Sequence, residues 1–331
     1  MAKYIVGAYA TVPQSDKWDA QLQAEYLDGI KDLDNIGGVE HAFAGSLHPE
    51  DDDWFLANIN PEWDFVFTGV PGIMGNIAAN PKFGIASDDA SGREAALAFY
   101  EKMRLAVHKL NTFVNRQAVT HVQLQTSPNQ AVAASSAASL TMSLTEMQSW
   151  DWGGATLVIE HCDTFVAGQK PSKGFLSIED ELAVIASLNK EFACNIGIAI
   201  NWGRSALETR SIDGPLEHIK LAVESDLLRG LMFSGVSDEA SPYGVWEDTH
   251  MPPVLPYVDG RDVYSAEKSL LTEDQISRCL QVVDWSQLQY LGLKIGVCPK
   301  TLSAAERVRC NQETLAMIVR LSASFNPSSS L

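Results

Sequence analysis

Tyr290-Leu291-Gly292-Leu293-Lys294-Ile295-Gly296-Val297 alternates small or polar residues with aliphatic ones, and Ile196-Gly197-Ile198-Ala199-Ile200-Asn201 repeats the pattern. Successive strand side chains point to opposite faces. Gly292, Lys294 and Gly296 therefore share one face against Leu291, Leu293, Ile295 and Val297, and Gly197, Ala199 and Asn201 share one against Ile196, Ile198 and Ile200. Small residues backed by aliphatic ones suit strands that turn inward to a crowded barrel interior and outward to a layer of helices.

Working outward from these two runs, strands are predicted at 4–9, 39–43, 65–70, 121–125, 156–160, 196–201, 230–234 and 290–297. Amphipathic helical stretches are predicted at 21–33, 92–115, 134–147, 178–192, 215–224 and 303–321. Strands alternating with helices imply a parallel sheet. Eight of them predict an α/β chain of the (β/α)8 TIM barrel class, with one domain over residues 1–325. A doubly wound open sheet is the alternative, but Gly7-Ala8-Tyr9-Ala10 follows the first strand where a G-x-G-x-x-G would stand. Segments 71–91 and 237–272 fall outside the repeat and are expected to be long loops forming lids or walls beside the C-terminal mouth. Residues 326–331 are expected to be a disordered tail.

The 331 residues carry 24 Lys and Arg against 42 Asp and Glu, a formal net charge of −18 that repels nucleic acid and anionic lipid. Hydrophobic residues at 46% supply a core. No apolar run reaches the roughly 20 residues of a membrane span, and the N-terminus enters a strand without a signal-peptide pattern. A soluble, cytoplasmic protein is expected. Cys162, Cys194, Cys279, Cys298 and Cys310 show no C-x-x-C spacing, so they are read as reduced, mostly buried thiols.

Thr156-Leu157-Val158-Ile159-Glu160-His161-Cys162-Asp163 ends a buried strand in ionisable side chains. Barrels place catalytic groups at such strand ends. Glu160 shares a face with Thr156 and Val158 and is the candidate proton-transfer carboxylate. His161 and Asp163 are candidate substrate ligands, although adjacent side chains point apart and at most one of the two shares Glu160's pocket. Asn201, Trp202 and Arg204 leave the sixth strand, where an indole can stack on a sugar ring and a guanidinium can clamp an anion. The alternatives are a Trp202 packed under a helix and an Arg204 paired on the acidic surface. Gln125 can hydrogen-bond hydroxyls, and His250 in the seventh-strand loop is either a general acid or a solvated loop histidine. No P-loop, nucleophile elbow or H-E-x-x-H is present.

Gly37-Gly38-Val39-Glu40, Ser91-Gly92-Arg93-Glu94 and Val158-Ile159-Glu160-His161 resemble motifs of the xylose isomerase-like TIM barrel superfamily, which contains sugar isomerases, ketose epimerases, inosose dehydratases and endonuclease IV. The resemblance implies that Glu40 helps position substrate. It also implies a divalent cation held by a glutamate on strand five, an acid on six, a histidine on seven and a glutamate on eight. The matching strand ends here carry Glu160, Asn201, Ser234 and Lys294. One carboxylate with an amide, a hydroxyl and an ammonium is a poor donor set for Mg, Mn or Zn. No cofactor is therefore expected, a divalent metal is poorly supported, and metal ligands stay unknown. Lys294 is expected to stand in for the cation electrostatically, with Glu160 as its natural partner; a structural ion pair is the alternative. The expected activity is proton transfer of the sugar isomerase or epimerase type on a small sugar or polyol derivative. Alternatives are a glycoside-cleaving enzyme pairing Glu160 with Glu40 or Asp163 and a non-catalytic sugar-binding barrel. The expected partner is a small carbohydrate, with Ser234 in the binding set, without nucleic acid or membrane, and a homo-oligomer is compatible with the chain.

Overall fold

In a computed structural model of the protein, residues 3–13 and 17–325 are described; the expected tail at 326–331 lies outside them. β1 (Lys3–Val6) leads through a 3-10 turn (Ala8–Thr11) to α1 (Ala20–Lys31), β2 (Gly38–Ala42), α2 (Asp52–Asn58), β3 (Asp64–Thr68), α3 (Val70–Ala79) and α4 (Ala90–Val114). The chain continues with β4 (Val119–Leu124), α5 (Ala137–Met147), β5 (Thr156–His161), α6 (Ile178–Phe192), β6 (Gly197–Asn201), α7 (Trp202–Thr209) and α8 (Gly214–Glu224). It ends with β7 (Leu228–Phe233), α9 (Glu273–Gln281), β8 (Tyr290–Leu293) and α10 (Ala304–Ala323).

The strands close a barrel in sequence order, β1 through β8. β1 and β8 close it in parallel register, from Lys3 opposite Tyr290 to Val6 opposite Leu293. The alternation in the eighth strand has a direct steric reason: a Cβ placed on Gly292 would overlap the Ile5 carbonyl of β1. Contacts divide the chain into two compact units. One comprises residues up to Glu40, Ile200–Val223 and from Gly230 on; the other comprises His41–Ala199 and Glu224–Arg229.

Side-chain caps set many helix starts. Asp19, Asp51, Asp89, Ser136, Ser177, Asn201, Thr272 and Ser303 each accept backbone N–H groups that the first helical turn leaves unpaired. Ser303 and Glu306 complete a reciprocal capping box.

Four helices were not expected from composition: α2, α3, α7 and α9. The expected 71–91 loop is corrected by α3, which occupies its first half. Pro71 falls in the first turn, where a missing N–H costs nothing, and Val70, Gly72 and Ile73 are buried. Packing there overrides the weak helix propensity of Gly and Asn. Segment 237–272 contains no helix or strand and is pinned by isolated bridges, Gly235 to Met251 and Val258 to Arg261. The first and eighth strands are shorter than expected, so Tyr9 belongs to the 3-10 turn and Lys294 follows β8 directly. No described helix is long and apolar enough to cross a membrane. Among the described residues the five cysteines form no disulfide, and Cys162, Cys279 and Cys310 are buried.

β2 also carries a buried imidazole that makes stability pH-dependent. His41 hydrogen-bonds through Nε2 to the Leu47 carbonyl at 2.8 Å and packs against the rings of Phe55 and Phe67, 4.5 and 5.0 Å away. Burial lowers its pKa from 6.5 to about 4. Between those values the unfolded chain binds a proton that the folded chain refuses, so stability falls as pH drops from 6.5 towards 4 and then levels off. The shift corresponds to about 3 kcal/mol. Denaturant unfolding at pH 7 and pH 4 is expected to show this loss, and His41→Gln should remove most of it. Parallel losses in both proteins would assign the effect elsewhere.

Candidate active site

The fifth strand delivers its carboxylate into a set of donors. Glu160 is buried, and its Oε2 accepts from Thr68 Oγ1 at 3.2 Å and from Gln125 Nε2 at 2.9 Å. Thr68 is the last residue of β3 and Gln125 the first after β4. Hydrogen bonds donated to a carboxylate favour its ionised form. Behind Gln125 stands Tyr100 of α4, whose hydroxyl donates to Gln125 Oε1 at 3.1 Å and accepts the Gln125 N–H at 2.9 Å. Burial holds this phenol protonated, far above the ordinary tyrosine range. Gly69 leaves the room the amide needs, because a Cβ there would lie 2.9 Å from Gln125 Oε1.

The neighbours of Glu160 serve other contacts. His161 Nδ1 meets Glu181 Oε2 of α6 at 2.8 Å, with both side chains fully buried, and Glu181 Oε1 accepts from Thr126 Oγ1 at 2.6 Å. Asp163 accepts the backbone N–H groups of Ser172, Lys173 and Gly174 at 2.7 to 3.3 Å. Its carboxylate thus organises the 172–174 turn. These are the contacts expected of side chains on the helix-facing side of a strand and in the loop beyond it.

In the other unit, Lys294 is fully buried and its Nζ lies 3.1 Å from Glu40 Oε2, also fully buried. The sequence named Glu160 as the ammonium's partner; the partner seen within this unit is Glu40. Nζ also sits 5.4 Å from the centre of the Tyr9 ring, a cation–π distance. Asn201 Oδ1 accepts from Ser234 Oγ at 2.7 Å and from the Arg204 N–H at 3.3 Å, capping α7. Arg204 is fully buried, with Nε 3.2 Å from Asp248 Oδ2, so a carboxylate of the chain itself already occupies the expected anion clamp. On its other oxygen Asp248 meets His250 Nδ1 at 3.0 Å. Burial lowers the His250 pKa, Asp248 opposes this, and the Lys294 and Arg204 cations add to the lowering. His250 is therefore a half-buried neighbour of Asp248 and not a fully solvated loop histidine. Trp202 is fully buried and packs in the core instead of presenting a face for stacking.

The donors at the strand ends argue against a cation at those positions. At the four strand ends where the superfamily holds its ion, Glu160 is the one carboxylate. Asn201 Oδ1 already takes two hydrogen bonds, and an ammonium stands at the eighth position. A hard divalent ion requires several oxygen donors, and a neighbouring ammonium opposes it. The residues at these positions do not fit the metal.

Residues 5–310 match a family model described as "Domain of unknown function (DUF4862)". The chain belongs to this family. A curated relative, the uncharacterized protein STM3670 of Salmonella typhimurium, is 32% identical over 297 residues, covering 88% of this chain and 89% of the relative. Among solved structures, the chain is similar to a xylose isomerase-like TIM barrel/4-hydroxyphenylpyruvate dioxygenase fusion protein. That match has a TM-score of 0.56 at 12% identity and covers 98% of this chain and 43% of the fusion. It is also similar to a xylose isomerase domain protein from Alicyclobacillus acidocaldarius, with a TM-score of 0.54 at 11% identity, covering 97% and 99% of the two chains. At such identities the likeness shows the fold, a xylose isomerase-like (β/α)8 barrel.

Within this family fold the structure brings Glu160 and Gln125 together, and separately Glu40 with Lys294, Asn201 with Ser234, and Arg204 with His250 through Asp248. Sequence reading missed Thr68, Tyr9, Tyr100, Glu181 and Asp248 as partners. Thr68 carried a partial signal, a hydroxyl near the end of the predicted 65–70 strand, two places before the Glu160 strand in barrel order. Tyr100 carried none, because nothing in a helix sequence says which buried side chain reaches a strand end.

Proposed function

We propose that the chain is a carbohydrate-active enzyme of the sugar isomerase or epimerase type, acting by proton transfer on a small sugar or polyol derivative. Glu160 is the base that removes a proton from a carbon next to a carbonyl and the acid that returns it. Proton transfer by a positioned carboxylate is general acid–base catalysis. The observation carrying this reading is the donor-fed carboxylate at the end of the fifth strand. The fifth strand keeps a buried carboxylate fed by donors, while the eighth presents a buried ammonium anchored by Glu40. Glu40 fixes the place of that charge, and Tyr9 flanks it.

The two carboxylates considered as glycosidase partners for Glu160 have other work: Asp163 holds three backbone amides and Glu40 holds Lys294. This favours proton transfer over glycoside cleavage.

Incubation with a panel of aldoses, ketoses and their phosphates in deuterated water tests the reading. Deuterium should enter the carbon beside the carbonyl of one panel member, and chelator should leave the rate unchanged. Metal-dependent exchange, or aglycone release from chromogenic glycosides without exchange, would replace this proposal.

A further inference from the structure

Carboxylates that move protons need a defined ionisation state, and an amide beside one can either support or oppose the anion depending on which end it presents. Gln125 presents its Nε2 to Glu160 at 2.9 Å and to Thr68 Oγ1 at 3.3 Å. A glutamine amide rotated by half a turn would instead set its oxygen against the carboxylate. The choice between these two arrangements is made on the other side of the amide, by Tyr100. The Gln125 backbone N–H can only donate, and it donates to the Tyr100 oxygen at 2.9 Å. The phenolic proton is then directed to Gln125 Oε1 at 3.1 Å. Every donor in the row therefore points the same way, from Tyr100 through Gln125 to Glu160. The row is buried throughout: Tyr100, Gln125, Thr68 and Glu160 are each at most 1% exposed. The amide is shielded from bulk solvent, and Gly69 keeps the space around Oε1 clear of a side chain.

We infer that Tyr100, a residue of α4 outside the strand ends, is a positioning residue for Glu160: its hydroxyl locks the Gln125 amide with the NH2 towards the carboxylate. The inference rests on the proposed role of Glu160 for its catalytic meaning, but the lock itself is a property of the resting protein. Tyr100 touches neither substrate nor reacting atoms. It acts through Gln125, and the loss of its hydroxyl frees the amide to turn its oxygen to Glu160. An amide oxygen facing the carboxyl group favours the protonated acid, so the ionisation of Glu160 moves to higher pH.

The test is the Glu160 carboxyl titration, followed by infrared difference spectroscopy or carbon NMR of the glutamate side chains, with Glu160→Gln identifying the signal. Tyr100→Phe should raise the midpoint by about one pH unit or more. Gln125→Met, which removes the amide altogether, should raise it as well, and the double variant should titrate like Gln125→Met alone. Tyr100→Phe also leaves the Gln125 N–H without its acceptor, so Val107→Ala, a remote truncation in the buried face of α4, serves as a destabilised control and should not shift the midpoint. An unshifted midpoint in Tyr100→Phe, or shifts that simply add in the double variant, would overturn the lock. If deuterium exchange activity is found, its acid limb should move with the midpoint while KM changes little. A shifted midpoint in a protein without such activity would leave the lock standing and remove the catalytic reading alone.

Discussion

Lys294→Met is expected to lower the free energy of unfolding by about 3–5 kcal/mol, because it leaves a buried carboxylate without its counter-charge. Glu40 and Lys294 are both fully buried at 3.1 Å, so solvent screening is weak and the cost of an orphaned charge is large. The carboxylate of Glu40 would have to bind a proton or draw in water, and the deficit should shrink in acid, where a neutral Glu40 needs no partner. Removing both charges tells a different story. Lys294→Met with Glu40→Leu keeps most of the volume and removes both desolvation penalties, and buried pairs replaced in this way are often neutral or even stabilised. The double variant should therefore recover most of the loss. Denaturant titrations of the wild type, both single variants and the double variant give the coupling energy directly. A single-variant effect below about 1 kcal/mol is the size of an exposed pair and would show that the ammonium is not a desolvated partner of Glu40.

Glu160→Gln should cut turnover about 10²–10⁴-fold, the usual contribution of a positioned general acid or base, with little change in sugar binding or melting temperature. The amide is nearly isosteric with the carboxylate, and its oxygen can still accept from Thr68 and Gln125, which now hold Glu160 Oε2. What it loses is the ability to take a proton from carbon and return it. Deuterium incorporation into the sugar gives the most direct reading, since it reports proton removal even where net conversion is slow. Retention of exchange within a few-fold of the wild type would remove Glu160 from the mechanism, whatever its structural importance.

Both variants probe residues that were legible from sequence, for different reasons. Glu160 announced itself as an ionisable residue closing an apolar run, and Lys294 as a charged residue on the small-residue face of another. Their partners were less legible. Glu40 was visible as a strand-end glutamate, but its pairing with Lys294 depends on two segments far apart in the chain. Arg204 was read as an anion clamp or a surface pair and His250 as a lid acid or a solvated loop histidine, and Asp248 sits between them. His161 looked like a pocket residue and instead meets Glu181. For His161, Arg204 and Lys294 the side chain's chemistry was readable, while the partner sat 20 to 254 residues away.

Period-two alternation, strand ends and the spacing of helices between them are local properties, set by backbone geometry over a few residues, and these alone determined the barrel class and the candidate carboxylate. Helices α2, α3, α7 and α9 escaped because their composition is weak and burial against the rest of the fold stabilises them. Which charge meets which, and which way an amide such as Gln125 faces, were decided only by tertiary structure. Those outcomes follow from exclusion of water and closure of the barrel, where a buried polar atom takes whatever partner the packing brings within reach.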